Sequence, residues 1–417
     1  MPAQPDGETP PLDGSLPAPA LRRAGADTFS AYVHVPYCRV RCGYCDFNTY
    51  TAEELGHGAN REDYREQLAR EIAVSRRVLG GSPLEARPFD TVFFGGGTPT
   101  LLPAEVLAGV LRDLADGFGL APDAEVTTEA NPDSVSRESL AVLADAGFTR
   151  VSFGMQSAVP HVLRTLDRTH DPARVGDAVA AARAAGLGVS LDLIYGTPGE
   201  SVEDWRASLE AVLALEPDHV SAYSLIVEPG TRMGAQVRRG ELPMPDEDDL
   251  AEKYELADEL LAGAGLHWYE VSNFAVSAQA QCQHNLAYWR NADWWGYGPG
   301  AHSHVGGVRW WNAKHPRAWA DRLGRDQSPA VGREVLDEET RALEDLMLAA
   351  RIDGAYPLDR LEATAREDIA RMLADGLLAP ATIATGRIHL TRRGRLLADG
   401  IVRTLSDHLR VSGRTRT

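Results

Sequence analysis

The chain is organised around residues 31–45, which read AYVHVPYCRVRCGYC and hold three of the four cysteines. The apolar run 31–35 predicts a β-strand, and the loop after it carries Cys38, Cys42 and Cys45. Three thiolates on one loop can hold three irons of a [4Fe–4S] cube and leave one iron open to a substrate. The spacing also lies within the range of zinc ligands, with His34 as a fourth donor. The residues favour the open cluster and leave zinc as an alternative.

The chain after these cysteines alternates between apolar runs and helix patterns. The predicted strands cover residues 31–35, 90–94, 125–132, 150–157, 188–196 and 219–227. This alternation is typical of parallel strands joined by right-handed helical crossovers. Because six units are too few to close an eight-stranded barrel, we predict an α/β fold with an open (β/α)6 partial TIM-type barrel. Its site is expected at the carboxyl ends of the strands.

Polar residues recur near those strand ends. Glu129, Gln156, Asp192 and Ser224 each lie late in an apolar run or just after it. Any one of them is ordinarily an anchor for a loop. Four together, with the cysteines, a glycine run at 95–97 and Tyr32, predict a lined cavity instead. Carboxylates, backbone donors and aromatic faces suit the ribose, the amino acid part and the adenine of S-adenosylmethionine (SAM).

Composition divides the chain into four expected segments. Residues 1–28 are rich in Pro, Gly, Ala and Asp and predict a disordered tail, followed by the barrel at 29–235 and an extension of it at 236–325. A charged linker at about 325–335 leads into a small C-terminal α+β domain, 326–417, with the helix-helix-hairpin order of a winged helix. Its hairpin strand is expected at 388–390. Without a basic helix face, this domain is predicted to cover or dock rather than to read DNA.

The charge and hydropathy of the chain limit the classes of partner that it can bind. Lys and Arg total 42 against 60 Asp and Glu, which gives a net charge of −18 and disfavours non-specific nucleic-acid binding. There is no apolar stretch of membrane-spanning length and no signal peptide at the N-terminus. We therefore expect a cytoplasmic protein without a transmembrane segment, whose contact with membrane-bound partners would be peripheral.

Aromatic residues and histidines are dense between residues 282 and 304. This stretch contains CQHNLAYWR at 282–290 and WWGYGPGAHSH at 294–304. A packed aromatic core with satisfied histidines explains the composition. A flat apolar ligand explains it as well, because aromatic rings stack on a macrocycle and a neutral imidazole can bind iron. The residues alone leave both readings open, and Cys282 is expected to be a buried small hydrophobe.

The motifs taken together resemble the oxygen-independent coproporphyrinogen III oxidase superfamily of radical SAM proteins. The shared stretches are HVPYCRVRCGYC, FFGGGTPT, EANPD, RVSFGMQS, DLIYGTPGE and SAYSLIVEPGT. Within the superfamily the chain is most similar to the heme chaperone branch. The oxidase has a further cysteine two residues after the third, where this chain has Phe47, and HNLAYW at 284–289 matches the H-N-x-x-Y-W motif of the chaperone branch.

The resemblance implies cofactors and residues. It implies a [4Fe–4S] cluster on Cys38, Cys42 and Cys45. It implies SAM contacts at Tyr32, Tyr44, Gly96, Gly97, Thr98, Glu129, Gln156, Arg168, Asp192, Ser224 and His302. It also makes His284 a candidate heme ligand, although the neighbouring Asn285 equally suggests a loop anchor. No catalytic residue follows from it.

The resemblance further implies a protein that binds heme and passes it to acceptors such as respiratory hemoproteins. The alternative is an enzyme, a coproporphyrinogen III oxidase that uses a 5′-deoxyadenosyl radical formed from SAM. Enzymatic activity is therefore left undecided by the sequence. A third class, a zinc-stabilised binding module, would be colourless and free of iron.

Overall fold

Twelve strands form one continuous sheet in the computed structural model, which describes residues 6–25, 27–55 and 61–410. The strands are β1 (Phe29–Val35), β2 (Phe89–Gly96), β3 (Leu120–Ala130), β4 (Arg150–Gln156), β5 (Gly188–Tyr195), β6 (His219–Ser224), β7 (His267–Glu270), β8 (Asn273–Ala275), β9 (Asp293–Tyr297), β10 (His302–Val305), β11 (Val308–Asn312) and β12 (Ala330–Val335). Their order across the sheet is β12-β11-β10-β9-β1-β2-β3-β4-β5-β6-β8-β7.

Helices connect these strands and form a separate group at the C-terminal end. They are α1 (Ala18–Arg23), α2 (Ala52–Leu55), α3 (Tyr64–Leu79), α4 (Ala104–Phe118), α5 (Arg137–Asp145), α6 (Pro160–Thr165), α7 (Ala173–Ala184), α8 (Val202–Leu213), α9 (Arg232–Arg238), α10 (Glu247–Gly263), α11 (Gln283–Trp289), α12 (Pro316–Leu323), α13 (Glu338–Ala349), α14 (Ala365–Ala374), α15 (Ala381–Thr385), α16 (Arg392–Leu396) and α17 (Ala398–Ser406). None of the helices in the described ranges combines the length and apolarity that a membrane crossing requires.

The central part of the sheet is an open partial barrel. Strands β1 to β6 pair in parallel and in sequence order. The sheet continues beyond both ends of this set, with β9 parallel to β1 and β8 antiparallel to β6, so that β12 and β7 are its edges. The predicted α/β fold with an open six-unit barrel is confirmed.

Amphipathic helices cover the outer face of the barrel strands. On α3 the side chains of Tyr64, Leu68 and Ile72 recur every four residues and are buried, as one helix face requires. Helix α8 begins at a capping box, in which Ser201 accepts from the backbone N–H of Asp204 at 3.1 Å. Local patterns of this kind place the crossovers, and the crossovers align the carboxyl ends of the strands on one face.

The N-terminal segment differs from the expected disordered tail. Residues 1–5 and 26 lie outside the described residues, but helix α1 contains the buried Ala20 and Glu8 forms backbone hydrogen bonds with Arg333 of β12. The Arg23 guanidinium also donates to the carbonyl of Gly306 at 2.8 Å. A composition without hydrophobic periodicity does not reveal this order, because the contacts that create it come from the far end of the chain.

The expectation of a charged linker at about 325–335 is wrong for the second half of this range, which forms strand β12. Arg333 and Glu334 lie on this edge strand and form ion pairs, Arg333 with Glu8 and Glu334 with Arg309 at 2.6 Å. Charges on an edge strand are common because they discourage further strand pairing. The sheet therefore continues past the boundary that composition indicated at residue 325.

The C-terminal helices pack around a second hydrophobic cluster, which includes Leu346, Tyr356, Ile369 and Leu405. The hairpin strand expected at 388–390 does not form a regular ladder. Its residue Leu390 forms a single bridge with Leu378, and Arg387, just before it, forms a single bridge with Pro357. The segment thus pairs with two different stretches. A 3-10 helix begins directly after Pro357 and helix α15 begins directly after Pro380, so neither ladder extends.

Candidate functional site

The carboxyl ends of β1 to β6 surround a cavity of about 480 Å³, which we call the inner cavity. Parallel strands end on the same face, so residues that are distant in sequence meet there. Six of the predicted SAM contacts line this cavity: Tyr32, Tyr44, Glu129, Gln156, Asp192 and Ser224. The structure brings these six side chains to one space.

Two carboxylates in the inner cavity lie close enough to influence each other. Glu129 Oε2 accepts from the backbone N–H of Gly96 at 3.0 Å, and Asp192 accepts from the Ser152 hydroxyl at 2.9 Å. Burial, followed by the charge of Asp192, raises the pKa of Glu129 to about 7, and burial also raises the pKa of Asp192. Such a pair favours a cationic or hydroxyl-bearing ligand, which would neutralise or hydrogen-bond the carboxylates.

Gln156 occupies an unusual backbone position at the end of β4. Its φ is +65°, in the left-handed region, and the register between β4 and β5 shifts at this point. A non-glycine residue there costs about 1 kcal/mol or more. Its buried Oε1 has no hydrogen-bond partner within the described part of the chain. An acceptor held in this way at a cavity wall fits a ligand with an N–H or O–H donor.

Arg168 connects the barrel with the cysteine loop. Its guanidinium donates to the Gly154 carbonyl at 2.6 Å and to Asn131 Oδ1 at 2.7 Å, and Nη1 lies 3.8 Å from Cys42 Sγ. It lines a narrow cleft beside Cys42 rather than the inner cavity. The predicted SAM contact is therefore positioned to act on the cysteine side of the site.

The glycine run after β2 is required by close backbone packing. A Cβ at Gly96, whose φ is +108°, would approach the His34 ring to 2.5 Å, and a Cβ at Gly97 would approach the Tyr37 carbonyl to 2.5 Å. Gly97 and Thr98 donate their N–H groups to Val35 and Tyr37, both at 2.8 Å. The backbone N–H groups of these two predicted SAM contacts are thus occupied by the end of β1 and the loop after it, whereas Gly96 lines the outer cavity.

The cysteine loop places three half-buried thiols near one another. All are free, and the turn is closed by a hydrogen bond from Cys45 N to the Cys42 carbonyl at 3.1 Å. Burial, followed by the charges of Cys45 and Cys42, raises the pKa of Cys38 to about 11. In the described residues no three His, Cys, Asp or Glu side chains converge as ligands of a single ion. In a cube each thiolate bonds to its own iron, so three spaced thiols on one loop fit this group.

His34 is engaged in a way that does not suit a fourth zinc ligand. Its Nδ1 lies 3.0 Å from the Tyr32 hydroxyl and its Nε2 lies 2.9 Å from the Asn48 carbonyl. Burial lowers the pKa of His34 to about 4, so the ring is neutral and hydrogen-bonded at both nitrogens. The zinc alternative that includes His34 is not supported by this arrangement.

A second cavity of about 680 Å³, which we call the outer cavity, lies beside the first. Its walls come from the ends of β1 to β3, from β9 to β11 and from α13. The two cavities share five residues, which are Tyr32, Asp46, Phe47, Glu129 and Tyr288. His302 lines the outer cavity and not the inner one, so it shares a cavity with Tyr32 and Glu129 but not with the other four SAM contacts gathered above.

His284 is buried on α11 and forms two hydrogen bonds. Its Nδ1 lies 2.7 Å from the Thr91 hydroxyl and its Nε2 lies 3.0 Å from the Tyr288 hydroxyl. Its ring stacks on Phe93 with centroids 5.1 Å apart, and burial lowers its pKa to about 3. These contacts match the anchoring role. Heme ligation by His284 stays a prediction, and it requires one nitrogen to exchange a hydroxyl for iron.

The rest of the H-N-x-x-Y-W motif also anchors α11. The Glu125 carboxylate accepts from the backbone N–H groups of Gln283 at 3.0 Å and His284 at 3.1 Å. The buried Glu270 carboxylate accepts from Asn285 and Trp289, and burial raises its pKa to about 8. The motif therefore fixes a short helix whose Tyr288 stands between the two cavities.

Sequence reasoning missed Arg150, which is buried, lines the inner cavity and lies near Glu125 and Asp192. A signal was available, because an arginine opens β4, whose other residues are uncharged. A buried cation must have partners. The sequence does not identify them, since Glu125 and Asp192 belong to the strands on either side.

Comparisons with known proteins agree with this geometry. Residues 32–212 match the Radical SAM superfamily. The chain is 49% identical over 388 residues to "Heme chaperone HemW" from Mycobacterium tuberculosis (strain CDC 1551 / Oshkosh), which covers 93% of this chain and 97% of that protein. It is 32% identical to "Heme chaperone HemW" from Bacillus subtilis, over 89% of this chain and 97% of that one.

The solved structure of coproporphyrinogen III oxidase (HemN) from Escherichia coli, a radical SAM enzyme, has the same fold. It superposes with a TM-score of 0.77 over 93% of this chain and 92% of that chain, at 23% sequence identity. At this level of identity the likeness extends to the fold alone.

Proposed function

This chain belongs to the HemW family of heme chaperones within the radical SAM superfamily, and on that premise we propose that it binds heme and delivers it to hemoproteins. The observation that carries the proposal is the placement of the family motif. Helix α11 sets Tyr288 in the wall shared by the inner cavity at the strand ends and the outer cavity beside it. One chain thus has separate room for SAM and for a flat apolar cargo.

We propose that Cys38, Cys42 and Cys45 hold the [4Fe–4S] cluster and that SAM occupies the inner cavity. When bound, the cluster supplies low-potential electrons and an open iron that can bind SAM. The SAM contacts are proposed to be Tyr32, Tyr44, Glu129, Gln156, Asp192 and Ser224 in the cavity, with Gly96, Gly97, Thr98 and Arg168 beside it.

Different side chains of the protein have different roles in holding SAM. Glu129 and Asp192 supply acceptors for hydroxyl or ammonium groups and favour positive charge. Gln156 offers an acceptor that no described residue uses. Arg168 keeps the cysteine loop close to the ends of β3 and β4 through Asn131 and Gly154. Burial of these groups strengthens their electrostatic interactions, because fewer water molecules screen them.

We further propose that the acceptors include respiratory hemoproteins and that the protein acts in the cytoplasm. Contact with membrane-bound acceptors would then be peripheral. Nucleic acid is not proposed as a partner, because the net charge of −18 opposes binding to phosphates.

The proposal is tested with anaerobically purified full-length protein carrying a reconstituted cluster. Hemin is titrated optically, and the hemin-loaded protein is then mixed with an apo-hemoprotein. We expect saturable binding followed by transfer faster than from free hemin. The same preparation is assayed with SAM, reductant and coproporphyrinogen III. Decarboxylated product without saturable hemin binding would overturn the proposal in favour of an oxidase.

A further inference from the structure

We infer that heme lies in the outer cavity and that His302, rather than His284, binds its iron. This inference rests on the proposed function and specifies the site of the cargo. It separates the heme site from the SAM site, with Tyr32 and Tyr288 between them. It also reassigns His302, which the resemblance placed among the SAM contacts.

The outer cavity has the size and lining of a site for a flat, mostly apolar ligand. Its volume of about 680 Å³ falls within the usual range for cofactor sites, about 300–1,000 Å³. Tyr288 and Trp294 meet edge to face, with centroids 4.7 Å apart, and form an aromatic wall. Met347 and Leu348 line the cavity from α13. Aromatic rings and a polarisable thioether pack well against a macrocycle.

His302 presents an available ring to this cavity. Its side chain is exposed, and neither ring nitrogen has a hydrogen bond to any residue in the described ranges. The ring stacks on Trp311 at 5.9 Å with an interplanar angle of 29°. Partial desolvation of the ring, followed by the charges of Lys314 and Arg309, lowers the pKa of His302, which favours the neutral imidazole that iron binding requires.

The backbone of His302 is held firmly, as a metal ligand requires. Its carbonyl accepts from Trp294 Nε1 at 3.2 Å, and its Cα pairs with Trp311 across β10 and β11. A Cβ at Gly296 would clash with this carbonyl, so glycine lets β9 approach. The imidazole therefore projects from a rigid strand rather than from a loop.

The neighbouring histidines are less suitable. His284 and His34 each use both nitrogens in hydrogen bonds within the protein. His304 is buried, donates from Nδ1 to the Ala292 carbonyl at 3.1 Å, and does not line the outer cavity. Only His302 and His34 line this cavity among the described histidines, and His34 would have to break its bonds to Tyr32 or Asn48.

Charges at the rim fit the propionates of heme. Arg309 and Lys314 both line the outer cavity. Arg309 forms ion pairs with Glu334 and with Glu344 of α13, each at 2.6 Å. A propionate carboxylate has the same charge and geometry as Glu344 and can replace it on the guanidinium. Heme bound here would thus contact both the sheet and α13.

Hemin titration of matched histidine variants tests the inference. Full-length protein with reconstituted cluster is compared with His302→Ala, with His284→Gln, which removes the imidazole but keeps a hydrogen-bonding side chain for Thr91 and Tyr288, and with the exposed-site control His267→Ala. We expect His302→Ala to lose at least tenfold in hemin affinity and to shift the Soret band, because a missing axial ligand changes the iron coordination. Added imidazole should restore the original spectrum in this variant. His284→Gln and His267→Ala should keep the wild-type spectrum.

A cavity-filling variant supplies an independent measurement. Met347→Trp places a large ring in the outer cavity and should lower hemin affinity while SAM affinity stays at the wild-type value. An unchanged spectrum and affinity in His302→Ala, or loss of the spectrum in His284→Gln with circular dichroism and SAM affinity unchanged, overturns the inference and leaves the proposed function standing. If the wild-type protein itself shows no saturable hemin binding, the proposed function fails as well.

Discussion

Glu71 in the outer helix layer and Glu129 at the strand ends both have a raised pKa, but they differ in the number of hydrogen-bond donors that reach them. Glu71 on α3 is completely buried and accepts three hydrogen bonds, from Gly298 N at 2.7 Å, Asn312 Nδ2 at 2.6 Å and Trp319 Nε1 at 3.0 Å. Burial raises its pKa to about 8, against the effect of these donors. The three donors come from the β9–β10 loop, β11 and α12. Glu71 therefore joins the barrel to its extension.

Glu129 has one donor, Gly96 N, and opens onto both cavities. The nearby Asp192 adds repulsion where Glu71 has only donors. A buried carboxylate that several donors reach holds structural elements together. A carboxylate at the strand ends with a single donor keeps hydrogen-bonding capacity for a ligand. The number of donors, rather than burial or pKa, distinguishes a structural carboxylate from a binding one.

The largest expected effect distinguishes the three cysteines of the loop from Cys282. Cys42→Ala should abolish the SAM-responsive cluster, because it removes an iron ligand, and Cys38→Ala and Cys45→Ala should do the same. Cys282→Ala should keep the cluster, because Cys282 is buried beside Glu125 away from the loop. Iron content and the optical spectrum under anaerobic conditions measure both. Loss of iron in Cys282→Ala with retention in Cys42→Ala would refute the assignment.

Glu71→Ala should lower the free energy of unfolding by about 3 kcal/mol, because it leaves three buried donors without an acceptor. The SAM affinity of the folded fraction should not change. Urea denaturation followed by circular dichroism measures the stability. Glu71→Gln, which keeps an acceptor, is the milder control and should lose less. A stability equal to wild type would show that the count of donors does not identify a structural carboxylate.

Glu129→Ala should behave in the reverse manner and weaken SAM binding by about 1–3 kcal/mol, or roughly tenfold to a hundredfold. Asp192→Ala and Gln156→Ala should have effects of the same order. The cluster content and the urea midpoint should remain near the wild-type values. Calorimetric titration of the reconstituted variants measures the affinity. Unchanged SAM affinity would make these residues strand-end anchors only.

The smallest expected effect is a pH dependence of SAM binding. Because the pKa of Glu129 is raised to about 7, the unliganded carboxyl is largely protonated at pH 6 and largely ionised at pH 8. A cationic ligand favours the ionised form, so affinity should rise up to about tenfold between these pH values. Calorimetry at both pH values is the measurement. In Glu129→Gln the rise should disappear, and an identical rise there would assign it to another group, such as Asp192.

Much of the barrel was predictable because its signals are local. The six strands, their order and the open barrel follow from the alternation of apolar runs and helix patterns, and the structure confirms them. The edges were not predictable in the same way. β12 reads as a charged linker because Arg333 and Glu334 find their partners, Glu8 and Arg309, at the other end of the chain or on another strand.

The features of the candidate site also fall into those that local sequence predicts and those that depend on the tertiary structure. By itself the sequence determined the cysteine loop and the polar strand ends, since ligand spacing and strand position are local properties. The tertiary structure alone decided that His284 bonds to Thr91, which lies 193 residues away, and that His302 opens onto a second cavity beside α13. Those facts depend on which strands become neighbours and on where α13 packs. No stretch of sequence encodes them separately, because they arise only when the whole sheet is assembled.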